Sequence, residues 1–227
     1  IGKRFKINLE AFFLAREDII KKHKAAGVVF VDENNVYIDE TVLIGDGTVV
    51  EPNVRITGST KIGRNALIGF CSDIANCEIG DNVTVKYSVL TDSKIGAGTN
   101  IGPFAYVRPN CCVGENVKLG DFVEIKNSNI GDGTKLAHLT YVGDADVGKH
   151  INFGCGTVVV NYDGKNKHRT VIEDGAFIGC NTNLVSPVTV GENAYTAAGS
   201  TITEDVPADT LAIARARQVI KDNWKRK

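Results

Sequence analysis

From residue 44 onward an aliphatic residue followed by glycine recurs with a near-constant rhythm. The pairs begin at Ile44, Ile62, Ile68, Ile79, Ile95, Ile101, Val113, Leu119, Ile130, Val142, Val147, Ile178 and Val190, and Phe153-Gly154 joins the series. Apart from one gap of 25 residues, the intervals are 6, 12 or 18 residues or fall one or two short of these. This is a hexapeptide repeat, with three hexads closing an 18-residue coil. Each hexad predicts a short strand and a turn, with the aliphatic side chain pointing inward above an equivalent neighbour. Glycine follows because the turn is tight and the next backbone lies close. A single coil cannot bury its apolar face, but stacked coils share a continuous core. At about 4.8 Å per coil, residues 44–206 give roughly nine coils and a prism about 40 Å long.

Three segments depart from the rhythm. In residues 1–25, Ile7, Leu9, Phe12, Phe13, Ile19 and Ile20 recur at helical intervals among charged residues, which predicts a linker or packing helix. Gly27 is the expected stop, and Val28 to Val31 then read as a strand. The 25-residue gap holds Asn161-Tyr162-Asp163-Gly164-Lys165-Asn166-Lys167-His168-Arg169, expected to be a polar loop extruded from the scaffold. After Pro207 the repeat stops. Residues 208–227 form a basic tail with Arg215, Arg217, Lys221, Lys225, Arg226 and Lys227, either solvated or used to bind phosphates. The expected organisation is a helical linker at 1–25, a β-helix domain at 26–207 and the tail at 208–227.

Composition narrows the function classes. A net charge of -1 gives no general affinity for nucleic acid or an anionic membrane. No apolar run approaches the roughly 20 residues of a membrane span, and residues 1–14 carry no signal-peptide pattern. The chain contains no methionine, so it is expected to be a piece of a longer protein. Six cysteines, at 71, 77, 111, 112, 155 and 180, include no Cys-x-x-Cys pair, which argues against a zinc site. A repeat protein of this size needs no disulfide staples, so reduced, mostly buried thiols in a cytoplasmic protein are expected.

Of the four histidines, His23 lies among lysines in the helix and is expected to be solvated. His168 lies in the basic loop and His150 in a turn. His138 falls in Lys135-Leu136-Ala137-His138-Leu139-Thr140-Tyr141, where Leu136 keeps the register but Ala137 replaces the expected glycine. A polar, aromatic patch interrupting the repeat suggests a side chain facing a site. A neutral imidazole suits removal of a proton from an amine near neutral pH. Arg108 and Lys126 are 18 residues apart, so they can stack on one edge and hold a phosphate, or be two ordinary surface charges. His150 and His168 share that spacing, which raises a zinc carbonic anhydrase as a competing reading. The inserted loop lies between them, however, and no third partner has the needed spacing. An ice-binding or purely structural β-helix would want threonine ladders, and here the threonines are scattered.

Four runs carry a family resemblance: Ile101-Gly-Pro-Phe-Ala-Tyr-Val-Arg108-Pro109, Lys118-Leu-Gly-Asp-Phe-Val-Glu-Ile-Lys126, Ala137-His138-Leu-Thr-Tyr141-Val-Gly-Asp-Ala and Asn161-Tyr162-Asp-Gly-Lys-Asn-Lys167. Together with Leu184-Val-Ser-Pro-Val-Thr-Val-Gly191 and Ala212-Ile-Ala-Arg215-Ala-Arg-Gln218, they resemble the acetyltransferase half of the bacterial bifunctional glucosamine-1-phosphate acetyltransferase/N-acetylglucosamine-1-phosphate uridyltransferase. The resemblance covers about residues 26–227. It implies an all-β chain, a left-handed parallel β-helix of hexapeptide repeats with an N-terminal helix and a basic C-terminal tail, assembled as a homotrimer with active sites between subunits. It implies acetyl-CoA as cosubstrate and glucosamine 1-phosphate as acceptor, with His138 as general base. Arg108, Lys126, Tyr141, Asn152 and Lys167 would hold the sugar phosphate. Asn161 and Tyr162 would lie at the thioester, and Cys155, Cys180, Ala198 and Arg215 would line the rest of the coenzyme, Arg215 near its phosphates. Where the family has Ala and Ser, this chain has Cys155 and Cys180, so at 180 a weaker hydrogen-bonding group replaces a hydroxyl. Gly2 stands where the family places a metal-binding Asn, so neither uridyl transfer nor a metal is expected. The alternatives kept open are another hexapeptide-repeat acyltransferase and a non-enzymatic β-helix interaction module.

Overall fold

The computed structural model describes residues 9–225, with side chains from residue 16. A helix, Leu9–Ala25, is followed by a parallel β-solenoid of about 10 turns with short strands from Val29–Phe30 to Leu211–Ala212. The strands stack into three faces, each with a column of inward apolar residues. One column runs Ile44, Ile62, Ile79, Ile95, Val113, Ile130, Val147, Ile172 and Val190. A second runs Val50, Ile68, Val85, Ile101, Leu119, Leu136, Phe153, Ile178 and Thr196. The third includes Ile38, Ile56, Ile74, Leu90, Val107, Ile125 and Val142. All of these side chains are buried. The aliphatic-glycine rhythm therefore reports core positions. It passes over Ile172 because Glu173 follows it.

Two kinds of glycine hold the coils together. At Gly96, in the aliphatic-glycine pairs, a Cβ would strike the backbone of Gly114 in the next coil, which is the close approach expected from sequence. Gly98 has another role. It turns a corner at φ 69, a backbone region that costs other L-residues about 1–2 kcal/mol. Asn116, at φ 55, takes the same corner one coil on, because asparagine tolerates the left-handed region better than most residues.

The solenoid is closed at its start by the helix. Ile20 is buried in the core and Ile19 packs against it. His23, expected to be solvated, is instead 3% exposed, because it lies three and four residues from Ile20 and Ile19 on the same helical face. Its Nε2 has no hydrogen-bond partner, and burial, aided by Lys22, pushes its pKa down. Arg16 donates to the carbonyl of Glu33 at 2.5 Å, and Lys24 pairs with Glu33 at 2.7 Å, fixing the helix to the first coil. Residues 1–8 of the expected helix, the side chains of Leu9, Phe12 and Phe13, and Arg226 and Lys227 of the tail lie outside the described residues. The expected strand at 28–31 is Val29–Phe30. At the far end the ladder continues past residue 207: Leu211–Ala212 pairs with Tyr195–Thr196. Its backbone bonds persist there although the aliphatic-glycine signal has ended. No described helix is long and apolar enough to cross a membrane.

Leu136→Ala is expected to cost about 2–5 kcal/mol in equilibrium denaturation, whereas Leu43→Ala, at a half-exposed position, should stay within about 0.5 kcal/mol. His23 has a folded pKa below its unfolded one, so the unfolded chain takes up the proton first. Its contribution is therefore complete above about pH 6.5 and is lost as pH falls through that value toward the depressed folded pKa. Protection factors of the amides in residues 16–25, corrected for the intrinsic pH dependence of exchange, should fall below that pH, and His23→Leu should remove the fall.

Candidate active site

Two nine-residue strands, Lys118–Lys126 and Lys135–Gly143, run continuously around one corner and join two faces. They pair throughout, and Asp121 lies in register with His138. At this corner the side chains point outward, so polar residues can replace the apolar repeat. His138 Nδ1–H donates to Asp121 Oδ1 at 2.6 Å, and that bond holds the Asp121 carboxyl below its usual pKa. With an ionised carboxylate accepting from Nδ1–H, the lone pair of neutral His138 sits on Nε2. Both side chains remain solvent-accessible.

Around the corner three cations converge. The pairing Val107 with Ile125 sets Arg108 beside Lys126. Arg108 donates to Glu124 at 2.8 Å. Lys126 is held below the usual lysine pKa by its contact with Lys167, then by partial desolvation, with Arg108 adding to the repulsion. Opposite them lies buried Asp144, which accepts hydrogen bonds from Asn127 at 2.6 Å and from Asn161. Burial alone would raise the Asp144 pKa, but these bonds and the field of Lys126 and Lys167 hold it down. The hydroxyl of Tyr141 sits over Gly143, next to the Asn161 amide.

Lys167 arrives on the expected loop. Between strands Val158–Val160 and Thr170–Ile172 the chain leaves the solenoid as a hairpin, with a Tyr162–Lys167 antiparallel bridge. Asp163 accepts from the backbone N–H of Lys165 and Asn166 and from His168 Nε2–H, at 2.6–2.7 Å. Asn161 anchors one limb on Asp144. Arg169 anchors the other, donating to the Asp146 carboxylate and to the carbonyls of Ala145 and Asn127. The hairpin tip is thereby free of packing while both of its feet are fixed.

A second constellation runs along the prism. The pairings Leu136 with Phe153, Phe153 with Ile178 and Ile178 with Thr196 place His138, Cys155, Cys180 and Ala198, two residues further on in each coil, in one column. Asn181 N–H donates to the Cys155 carbonyl at 2.8 Å, and Gly199 N–H donates to that of Cys180 at 2.7 Å. The aliphatic part of Arg215 lies beside Gly199 at the far end. Four coil steps at about 4.8 Å make this track about 19 Å long, with an imidazole at one end and a guanidinium at the other.

Asn152 stands apart from the cations. It stacks between Lys135 and Phe177 on the face before the corner. Tyr162 is exposed on the hairpin, its hydroxyl donating to the Gly164 carbonyl. His150 and His168 are not stacked, because Ala145 pairs with Thr170 and the hairpin takes up the residues between. Five site residues escaped the sequence reading: Asp121, Glu124, Asn127, Asp144 and Arg169. Asp121 left a trace, since Lys118-Leu-Gly-Asp121 and Lys135-Leu-Ala-His138 are copies one coil apart. The others look like ordinary surface polar residues until the coils are stacked.

A family model for the bacterial transferase hexapeptide (six repeats) matches residues 92–127 and 169–204. The bifunctional protein GlmU of Acetivibrio thermocellus is 59% identical over 215 residues, which cover 95% of this chain and 47% of that protein. The bifunctional protein GlmU of Clostridioides difficile is 52% identical over 214 residues, covering 94% and 47%. The chain thus spans about half the length of these relatives. Among solved structures, the UDP-N-acetylglucosamine acyltransferase of Francisella novicida superposes with a TM-score of 0.55 at 19% identity, covering 79% of this chain and 65% of that one. That likeness concerns the fold alone, a left-handed parallel β-helix of hexapeptide repeats.

Three crowded cations should bind an anion. Inorganic phosphate at ten times its Kd should stabilise the chain by about 1.4 kcal/mol in thermal denaturation. Lys126→Ala should lose most of that increment.

Proposed function

The chain is a homologue of the bifunctional GlmU proteins over about half their length, and on that premise we propose that it transfers the acetyl group of acetyl-CoA to the amine of glucosamine 1-phosphate. The product, N-acetylglucosamine 1-phosphate, would feed UDP-N-acetylglucosamine and cell-wall precursor synthesis. The observation that carries this reading is one base, the Asp121-supported imidazole of His138, standing where two tracks meet. The cationic corner lies on one side and the column toward Arg215 on the other.

His138 and Tyr141 are three residues apart on one strand, at most about 10 Å, a span suited to a substituted monosaccharide. Arg108, Lys126 and Lys167 hold the phosphate, with Tyr141 beside them. Asn152 approaches the acceptor from the other face. His138 Nε2 accepts the proton of the sugar ammonium, and Asp121 stabilises the imidazolium that results. The freed nitrogen lone pair attacks the thioester carbon. Asn161 and Tyr162, at the foot of the hairpin, face the developing oxyanion. When the intermediate collapses, its C–S bond breaks, His138 returns its proton to the leaving thiolate, and the extra proton left on the acceptor nitrogen passes to solvent, giving the neutral amide and the free thiol.

Acetyl-CoA supplies the acyl group as a thioester. The column fits its pantetheine arm: Cys155, Cys180 and Ala198 are small and evenly spaced, and Arg215 meets the phosphates. The assembly we propose is a homotrimer. The exposed aromatic ladder Tyr87, Phe104 and Phe122, with ring centroids 5.7 and 5.5 Å apart, supports a contact with further copies. We assign the helix to a linker and residues 26–207, extended by the last rung at Leu211–Ala212, to the acetyltransferase domain, with the tail beginning after that rung. Six free cysteines support a cytoplasmic setting. No step of the scheme calls on a metal.

Free-thiol release is the test. His138→Ala should lower kcat by about 10² or more, and near-normal turnover would remove His138 as the base. Asp121→Asn should lower kcat by about tenfold while KM for the sugar changes less than about twofold. Arg108→Ala should raise KM for glucosamine 1-phosphate far more than for acetyl-CoA. Equal effects on both substrates would sink the phosphate clamp. Glucosamine and glucosamine 6-phosphate serve as the acceptor controls.

A further inference from the structure

Among the six cysteines, two stand in a relation the others do not share. Cys77 and Cys111 are buried, and burial pushes the Cys77 thiol up to about 11. Such a group is protonated and inert near neutral pH. Against the expectation of mostly buried thiols, Cys71 and Cys112 are exposed: Cys71 holds a corner at φ 55, and Cys112 lies in register with Lys94 and Asn129. Cys155 and Cys180 occupy the same outward position in consecutive coils. Cys155 is half-buried, Cys180 is exposed, and both are free thiols.

Three observations bring their sulfurs within reach of one another. The pairing of Phe153 with Ile178 and the Asn181 N–H bond to the Cys155 carbonyl lock the two coils in register. Residues so paired lie about 4.8 Å apart, inside the Cα separation of about 4.4–6.8 Å that a disulfide spans. One step along the same column, Asp121 and His138 show that side chains at this position meet across the coils, since their polar atoms are 2.6 Å apart.

We propose that Cys155 and Cys180 form a thiol pair that closes to a disulfide by exchange with a low-molecular-weight disulfide, and that closure blocks the coenzyme track. The second half of this statement rests on the acetyl-CoA reading of the column. The exposed Cys180 thiolate attacks one sulfur of the small disulfide. A protein–small-molecule S–S bond forms, the original S–S bond breaks, and one small thiolate leaves. The Cys155 thiolate then attacks Cys180 Sγ, the Cys155–Cys180 bond forms and the second small thiolate leaves. The two protons lost by the cysteines end on the two released thiols. The pair is oxidised and the small disulfide is reduced. The new bond lies along the line of the pantetheine arm and removes both S–H groups that faced it.

The experiment treats the whole chain with glutathione disulfide and reads it by intact mass, tryptic mapping and acetyl-CoA titration. Lys165, Lys167 and Arg169 lie between the two cysteines, so trypsin separates them unless they are bridged. The wild type should lose two hydrogens and yield a linked 155–180 peptide. Its affinity for acetyl-CoA should fall at least tenfold and return on reduction. Cys155→Ser and Cys180→Ser should each fail to form the bridge, and Cys155→Ser should stop at a stable glutathione adduct on Cys180. For Cys180→Ser the ratio of oxidised to reduced affinity should stay much nearer one than in the wild type, whereas the glutathione left on Cys180 in Cys155→Ser should itself obstruct the track until it is reduced off. A lasting adduct in the wild type without a linked peptide overturns the pair. A linked peptide with unchanged acetyl-CoA affinity overturns the blockade. If the reduced wild type does not bind acetyl-CoA at all, the coenzyme reading fails and the blockade with it, while the linked peptide still scores the thiol pair on its own.

Discussion

Everything in this molecule depends on repeated turning of the backbone through the left-handed region. A coil of three short strands closes only if its corners take positive φ, and most L-residues resist that conformation. Glycine and asparagine take most of the corners, as at Gly98 and Asn116. Once the corners are satisfied, strands fall into parallel register and the apolar columns stack. The hydrophobic core is then continuous along the prism, and each coil depends on its neighbours for burial.

One corner departs from this economy. Tyr87, Phe104, Phe122 and Leu139 all hold positive φ in successive coils, although bulky residues are rare there. The rings of Phe70, Tyr87, Phe104 and Phe122 follow one another with centroids 5.5–5.8 Å apart, the first two pairs tilted and the last stacked, and so recover part of the conformational cost. Asp121 immediately precedes Phe122, and His138 immediately precedes Leu139. The proposed base and its carboxylate partner are therefore set on the most constrained corner of the solenoid. Backbone strain concentrated beside reacting groups is a recurring way of holding them in place.

The fold was legible in the sequence because the repeat is a direct record of burial. Ile44, Ile62 and Ile79 are a column in the structure and a rhythm in the chain. The extruded hairpin was legible for the complementary reason, as the one long silence in that rhythm. His23 was misjudged because its charged neighbours outweighed its helical phase with Ile19 and Ile20. The last coil was missed because Leu211–Ala212 keeps the ladder without the glycine. The site was legible only in part. His138 interrupts the repeat and Arg108 and Lys126 share a coil spacing, so both could be suspected. Asp144 and Arg169 act by anchoring the hairpin from a neighbouring coil, and nothing local in the chain marks a residue whose role depends on what stacks above it.

The hairpin also bears on how such a protein can change over generations. It leaves the solenoid after Val160 and rejoins at Thr170, which pairs with Ala145 as though the nine residues between were not there. Insertions or replacements within residues 162–168 need not disturb a single rung of the ladder. The scaffold thus separates inheritance of shape from inheritance of preference. The coils fix where the proposed reaction would happen, while the tip of one small excursion is free to vary in which molecules are brought to it.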